Sequence, residues 1–443
     1  MVKKKKPKLL DELEKIIINK HHLINIPTND KILELNTFKY GSDFDVNVHK
    51  CDNIIPNINI IKFDKNEPTK DNMFKTFKYT LNPDKSQFKL LLGFCDAYIE
   101  MYNLTIKKIK EERKIQRNIQ NKNIKYCEMN YIPNVGILKK YFVNDKENLS
   151  KKYKINKHTL DYAINDVITM FKSIVTNQRN GHVKNSKMRY LKKSKNSKIF
   201  KVEKNSCTNE SFFSSILGKK LSITPFINYK NECETVYIVQ FNKKENKFFL
   251  LKKVKIIETS KNKVNNSISI DLGVRTIITG ISENHILEIG KNVSEKIKKK
   301  INKIQILTKI NKKRKINKIE KSITNYVNDF QWKTSNYLVS NYEHIVVGNF
   351  STNSMKKKYN NDTNLEVMKC LNMFNFRQKI KYKCLKHKKK YIKVNEAYTT
   401  KLCVNCSYYN DIGSSKIYKC SNCNKTYDRD IKSAGCIYLK ALQ

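Results

Sequence analysis

The sequence lacks a long apolar run, an internal repeat and a balancing number of acidic residues. No uncharged stretch of about 18 or more apolar residues occurs, so we expect no membrane-spanning helix. The N-terminal MVKKKKPKLLDELEK has the basic start of a secretory signal but no apolar segment after it, so we do not expect secretion. The 443 residues are enough for two or three domains, each with its own core.

Acidic residues are scarce relative to basic ones. The chain has 40 Asp and Glu against 89 Lys and Arg, a formal net charge of +49 at pH 7. A field of that strength favours a polyanionic partner, and nucleic acid is the obvious class. Genome bias is the competing explanation, because Lys, Asn and Ile are abundant throughout. The run KKKKPK fits either a nuclear-import signal or a phosphate-attracting arm.

Of the 12 cysteines, only four have regular spacing. Cys403 and Cys406 form one C-x-x-C pair, and Cys420 and Cys423 form a second pair thirteen residues later. Two such pairs complete a tetrahedral site with no open position, which predicts a structural Zn²⁺ ion. A redox C-x-x-C would not require the second pair. Without a secretory signal, a reducing compartment and metal ligation are expected rather than disulfides.

The first part of the chain changes pattern three times. Residues 1–70 show no sustained period and predict a basic, weakly ordered arm, and residues 71–85 predict a strand. Residues 86–190 have helical apolar stripes, for example Leu91, Phe94 and Tyr98. Residues 191–262 predict short strands, in a small barrel or an open sheet.

The second part has an α/β rhythm. Residues 263–402 predict strands that alternate with helices, and residues 403–424 contain the two cysteine pairs. Residues 425–443 predict a final helix. A helix predicted at 293–323 carries twelve Lys or Arg and two Glu, so its polar face either is simply solvated or lines a groove for a nucleic-acid duplex.

Carboxylates end or follow several predicted elements. Asp271 ends the buried run that begins at Ile268 and precedes Gly273, as a metal ligand of an RNase H-like sheet would, although a turn Asp is a simpler explanation. Such a site needs two or three more carboxylates around two Mg²⁺ ions. Asp428 and Asp430 open the final helix. We predict that Asp428 caps this helix and that Asp430 is the ligand.

These segments together resemble one known family. The combination of IDLGVRT, EAYTTKLCVNC, the second C-x-x-C and YDRDIKSAG resembles the Fanzor family. Fanzors are the eukaryotic and viral relatives of transposon-encoded TnpB nucleases and, more distantly, of type V CRISPR effectors. TFKYTLNPDKSQFKLLL is similar to the family's opening strand and helix. The resemblance is specific over residues 263–443, thinner over 72–260 and absent over 1–70.

The family's RuvC-type site uses Asp, Glu and Asp, and this sequence departs from its usual form. The Glu usually ends the second conserved strand, but here HIVVGNF has Gly348 and Asn349 at that point, and Glu343 precedes the strand. Taken alone, this departure predicts an inactive nuclease. Many Fanzors carry a relocated Glu in an E-x-Y-T-S/T segment before the zinc cysteines, and Glu396 in EAYTT matches it. The alternative for Glu396 is a surface salt bridge.

The resemblance implies a multidomain α+β fold. A strand-rich, barrel-like wedge domain with an inserted helical recognition lobe would precede an RNase H-like (RuvC) nuclease domain with an inserted Cys₄ zinc knuckle. Asp271, Glu396 and Asp430 would bind two catalytic Mg²⁺ ions.

The function implied is RNA-guided cleavage of double-stranded DNA next to a short flanking motif. The protein would act as a monomer with a guide RNA encoded near its own gene, in the nucleus or at an intracellular site of viral DNA. Two alternatives stay open: an inactive nucleic-acid-binding regulator and a DDE-type transposase, which would carry its last Glu on a helix and act without RNA.

Overall fold

A computed structural model describes residues 7–28, 35–39, 44–51, 54, 74–119, 133–183, 187–232, 236–255, 266–349, 363–413 and 415–442. The chain divides into two compact units, residues 72–256 and residues 1–71 with 257–443. The boundary predicted between residues 262 and 263 lies outside the described residues. Within the described ranges, the helices are all too short or too polar to cross a membrane.

The strands and helices are numbered in chain order. The strands are β1 Leu35–Lys39, β2 Asp45–Lys50, β3 Phe74–Leu81, β4 Ser197–Glu203, β5 Ile223–Thr224, β6 Val236–Asn242, β7 Lys247–Lys255, β8 Ser267–Leu272, β9 Ile278–Ser282, β10 His285–Ile289, β11 His344–Gly348, β12 Lys390–Val394, β13 Ile417–Lys419 and β14 Thr426–Asp428. The helices are α1 Lys8–Lys20, α2 Lys85–Ile119, α3 Val135–Tyr141, α4 Val143–Tyr153, α5 Lys157–Arg179, α6 Ser214–Leu217, α7 Tyr229–Glu232, α8 Val293–Lys309, α9 Lys313–Asn341, α10 Thr363–Leu371, α11 Met373–Lys386 and α12 Arg429–Ala441.

The unit of residues 72–256 is built on an antiparallel sheet with the strand order β4-β6-β7-β3-β5. Among the described strands of this unit, the edge strands β4 and β5 do not pair with each other, so the predicted open sheet is observed and a closed barrel is not confirmed. The two-residue β5 is too short to continue the ladder. One apolar cluster joins the sheet to α2 and α5, and it includes the predicted helical residues Leu91, Phe94 and Tyr98.

Helix α2 begins with a capping box. The Asp84 carboxylate accepts the backbone N–H of Gln87 at 2.8 Å, and the Gln87 side chain accepts the backbone N–H of Asp84 at 3.1 Å. Each residue thus satisfies a donor that the first turn leaves without a partner. The helix starts one residue before the predicted Ser86 because Asp84 is the cap.

The other unit contains a seven-stranded sheet with the order β1-β2-β10-β9-β8-β11-β12. Strand β8 is antiparallel to β9 and parallel to β11, and β11 is parallel to β12. Strand β2 comes from the predicted arm and pairs with β10, and three residues of α1 are buried: Leu10, Leu13 and Ile17. The prediction of a weakly ordered arm is therefore wrong for the described part of residues 1–70. The apolar residues of α1 recur at helical spacing and pack in one cluster with residues of α12.

The two faces of this sheet differ in chemistry along β8. Ile268 and Ile270 join the cluster formed with α8 to α11. Ser269 points the other way, and its hydroxyl donates to the carbonyl of Ala434 in α12 at 2.5 Å. Since side chains alternate along a strand, Asp271 lies on the α12 face with Ser269. The small serine allows α12 to approach β8. Asp430, one of the predicted metal ligands, lies in the first turn of α12.

The single basic helix predicted at 293–323 is two helices. Asn311 has φ +52°, and the N–H groups of Asn311 and Lys312 donate to the carbonyls of Thr308 and Leu307. This pair of bonds is a Schellman motif, which ends a helix at a left-handed residue and which Asn tolerates. The prediction was wrong because apolar spacing continues through the break.

Candidate functional site

The carboxyl ends of three neighbouring strands meet at one edge of the sheet. Val347 of β11 lies beside Ile270 of β8, and Gly348 lies beside Val394 of β12. The Asn349 N–H donates to the Val394 carbonyl at 2.8 Å, which holds β11 and β12 together to their ends. Asp271 follows Ile270 and Glu396 follows shortly after Val394. The parallel pairing therefore brings both carboxylates to the same edge.

Gly348 is the last residue of β11, and its lack of a side chain leaves space at the end of this strand. A Cβ atom there would lie 2.5 Å from Oε2 of Glu396 and 3.0 Å from Cδ1 of Ile437. No carbon approaches an oxygen that closely without displacing it. The Glu396 carboxylate thus occupies the space over the end of β11. A glycine at position 348 therefore leaves room for the Glu396 carboxylate.

The electrostatics of the site link all three predicted acids. Burial, the larger cause, and the negative charge of Asp430 together raise the pKa of Asp271 to about 6, against a hydrogen bond from Ser433. Burial, again the larger cause, and the negative charge of Asp271 together raise the pKa of Glu396 to about 8, against the positive charge of Arg377. Asp271 is therefore the central acid, close enough to both others for their charges to interact.

One oxygen of this group lacks a partner. Oε2 of Glu396 is buried and accepts no hydrogen bond from the part of the chain that the structure describes. Buried polar atoms are almost always satisfied, so an exception needs a cause. Three carboxylates are the hard oxygen donors that Mg²⁺ prefers, and a cation would satisfy this oxygen. Over the described ranges no three carboxylates lie as close together as the thiols described below.

Helix α12 positions Asp430. The Asp428 carboxylate accepts the N–H groups of Asp430 at 2.9 Å and Ile431 at 3.2 Å, so Asp428 is the N-cap, as predicted. Asp430 is left in the first turn and contacts Arg429 at 3.3 Å.

Two buried residues that the sequence did not single out connect α12 to the Glu396 turn. The Ser433 hydroxyl is 2.9 Å from that of Thr399, which also donates to the Glu396 carbonyl at 2.8 Å. The Lys432 amino group donates to the carbonyls of Thr399 at 2.9 Å and Leu402 at 2.7 Å. The sequence signal that could have identified Lys432 was its place in a predicted helix whose other residues are mostly apolar or small.

The four predicted cysteines form one cluster beside this turn. Their sulfur atoms all lie within 4.8 Å of one another, with 3.7 Å between Cys403 and Cys423 and 3.5 Å between Cys406 and Cys420. These distances are too long for disulfides, and they match the separation of about 3.8 Å expected around a tetrahedral Zn²⁺ with Zn–S bonds of about 2.3 Å. Ser407 and Asn424 follow the two pairs with φ near +55°, which gives both turns the same form.

Comparison with known proteins points to one group. Residues 374–437 match the family model "Cas12f1-like, TNB domain" and residues 243–359 match "Probable transposase". The chain is 28% identical over 377 residues to TnpB-like protein L79 of Acanthamoeba polyphaga mimivirus, covering 81% of this chain and 71% of that protein. TnpB-like protein L770 of the same virus has the same identity and coverage. These matches support a TnpB-like, Cas12f-like family.

A solved structure is also similar to this chain. It is the cryo-EM structure of the Cas12f1-sgRNA-target DNA complex, with 16% identity and a TM-score of 0.32 over 83% of this chain and 99% of that one. The Fanzor subgroup stays a prediction.

Proposed function

We propose that this TnpB-like protein is an RNA-guided DNA endonuclease of the Fanzor type, with an RNase H-like (RuvC) nuclease domain. The observation that carries the proposal is the Glu396 carboxylate over Gly348, beside Asp271 and within electrostatic reach of the Asp430 helix. An active nuclease of this type requires a third carboxylate near Asp271 and Asp430, and an inactive regulator does not. Glu396 would supply that carboxylate from a different segment of the chain.

The residues of the site suit phosphodiester hydrolysis. Asp271, Glu396 and Asp430 would hold two Mg²⁺ ions. When bound, such ions activate water and stabilise the leaving oxygen. Ser433 and Thr399 fix the two carboxylate-bearing segments relative to each other. Lys432 holds the turn between Glu396 and the cysteines.

The cysteine cluster would bind a structural Zn²⁺ ion. All four ligands come from the protein, so no position is left for a substrate. The plausible task of this knuckle is to hold the 396–403 turn against α12.

The basic surfaces would bind guide RNA and target DNA. Sequence would be read by base pairing, while the protein holds the RNA–DNA heteroduplex by its shape and charge. Helices α8 and α9 carry most of the Lys and Arg of residues 293–323, and α2 and α5 are further candidates.

The first test is to express the protein with its native downstream DNA, to sequence the RNA that copurifies, and to assay cleavage of a matching duplex. We expect one dominant RNA from that flank and Mg²⁺-dependent cutting. Asp271→Asn and Glu396→Gln should abolish cutting and keep the RNA. Glu366→Gln removes an exposed carboxylate of the same unit and should change neither.

Two outcomes would contradict the proposal. A defined RNA without cleavage under any divalent cation would favour the regulator. Strand transfer that needs no RNA would favour a transposase, the activity that one matching family model names.

A further inference from the structure

The only tryptophan of the sequence lies at the surface. Trp332 is in α9 and 38% of its surface is exposed. A single exposed aromatic residue needs no explanation by itself. What distinguishes Trp332 is the set of side chains that α11 brings around it.

A tyrosine and two lysines of α11 surround the indole ring. The ring of Tyr382 meets it edge-on, with centroids 5.7 Å apart and an interplanar angle of 77°. The amino groups of Lys379 and Lys383 lie 5.3 and 5.6 Å from the indole centroid. We call these four residues the Trp332 platform. It combines a partly exposed indole side chain with two cations placed over its ring.

The platform is held in place. The Lys379 amino group donates to the side-chain oxygens of Asn328 at 2.6 Å and Gln331 at 2.8 Å, both in α9. The Gln331 side-chain amide also donates a hydrogen bond to the carbonyl of Leu371, the last residue of α10. The cation and the ring are therefore fixed to the same helix pair before any ligand arrives, which lowers the entropy lost on binding.

We infer that the Trp332 platform stacks one base of single-stranded DNA and binds its neighbouring phosphates through Lys379 and Lys383. Aromatic faces stack on any base, and flanking cations follow the backbone, which is how proteins bind single strands without sequence preference. Bases inside a duplex are already stacked and cannot reach the ring.

The assignment to the DNA strand being cut rests on the proposed function. Helix α11 also carries Arg377, two residues before Lys379, and the positive charge of Arg377 acts on Glu396. The platform therefore shares a helix with a residue whose charge reaches Glu396, although Arg377 and Lys379 lie on different faces of that helix. An unwound target strand is the single-stranded DNA that an RNA-guided nuclease must present to its carboxylates.

The experiment uses intrinsic fluorescence of the full-length protein carrying Asp271→Asn, which prevents cleavage. Because Trp332 is the only tryptophan, its emission reports on the platform alone. Oligodeoxythymidylate is the probe. We expect saturable quenching, and a loss of affinity of about fivefold to a hundredfold with Trp332→Ala, the range for one stacked base.

Two variants separate stacking from folding. Trp332→Phe keeps an aromatic face and should bind within about threefold of the parent, measured by fluorescence anisotropy of labelled probe. Phe226→Ala removes an even more exposed ring, 75% exposed, from the other unit and should leave affinity unchanged. Thermal unfolding of each variant shows that it is folded.

Three results would overturn the inference. They are unquenched emission at saturating probe, equal affinity of Trp332→Ala and the parent, and a preference of the platform for duplex DNA or for single-stranded RNA over the probe. Failure of the proposed function looks different: the protein would bind the strand on Trp332 but the unsubstituted chain would not cut guided targets.

Discussion

At the residue scale, Glu396 is held in a place that is unfavourable without a cation. It is mostly buried, it lies near Asp271, and its Oε2 accepts no hydrogen bond from the described residues. A folded protein tolerates such a group when function requires it, at a cost in stability. The cost and the function can be measured separately.

Glu396→Gln should stabilise the metal-free protein while it abolishes cleavage. The pKa of Glu396 rises from its ordinary 4.5 to about 8, so folding disfavours the charged form. Below pH 4.5 the carboxyl is protonated in both states and costs nothing. The cost grows as the pH rises through this window and is complete above about 8, where it reaches about 5 kcal/mol. Chemical denaturation across pH in EDTA measures the difference.

The same variant should lose stabilisation by Mg²⁺, because it removes one ligand. Glu366→Gln, an exposed site, serves as the reference. An Mg²⁺-induced rise in melting temperature that is equal in Glu396→Gln and the parent would contradict the assignment of Glu396 as a ligand.

Gly348→Ala should abolish cleavage with little loss of fold. The new Cβ would lie 2.5 Å from Oε2 of Glu396 and would displace that carboxylate. The backbone of a strand accepts alanine, so the fold should persist. The expected loss in cleavage rate is at least about a hundredfold, as for a displaced catalytic group. Gly93→Ala, whose Cβ would meet only Tyr153 at 3.5 Å, is the matched control and should cleave normally. Full cleavage by Gly348→Ala would place the catalytic acid elsewhere.

At the scale of elements, helix α12 and the cysteine cluster form one assembly. Tyr418 and Tyr427 of β13 and β14 share an apolar cluster with Cys403, Cys420 and residues of α12. Loss of the knuckle should therefore loosen the helix that carries Asp430.

Cys403→Ser should remove bound zinc and destabilise this unit by several kcal/mol, since structural zinc contributes directly to folding. Metal analysis of the purified protein should give about one zinc per chain for the parent and much less for the variant. Hydrogen exchange should show faster exchange in α12. Cys370→Ser changes a half-buried cysteine outside the cluster and should keep its zinc. Zinc retention in Cys403→Ser would exclude the four-thiolate site.

Local signals in the sequence predicted the elements that local chemistry determines. The apolar stripe of α2, the strand HIVVGNF and the cysteine spacing each identify one element from its own residues. The addition of β2 to the sheet and the contact of Glu396 with Gly348 depend on long-range pairing, which no local period encodes. The family motif supplied Glu396 in advance; it did not supply the reason for a glycine opposite.

At the scale of the whole molecule, the charge of +49 should dominate nucleic-acid affinity. Binding to a duplex should weaken steeply with salt, with a log–log slope of about −0.9 for each phosphate neutralised. Substituting glutamine for four residues at the α8–α9 junction should reduce that slope: Lys312, Lys313, Arg314 and Lys315.

The matched control replaces four exposed lysines away from this junction by glutamine: Lys8, Lys15, Lys219 and Lys220. Filter binding over a salt series measures both slopes. Equal slopes for the two variants would mean that charge attracts nucleic acid generally and that the α8–α9 junction has no particular role.

The order of the carboxylates along the chain has a consequence for synthesis. Asp271 leaves the ribosome long before Glu396, and Asp430 follows only after the cysteine pairs have emerged. A nascent chain that already has its basic helices can attract nucleic acid but cannot yet assemble the three acids. Under the proposed function, any premature stop before codon 430 would produce a chain that binds nucleic acid but lacks one of the three proposed metal ligands.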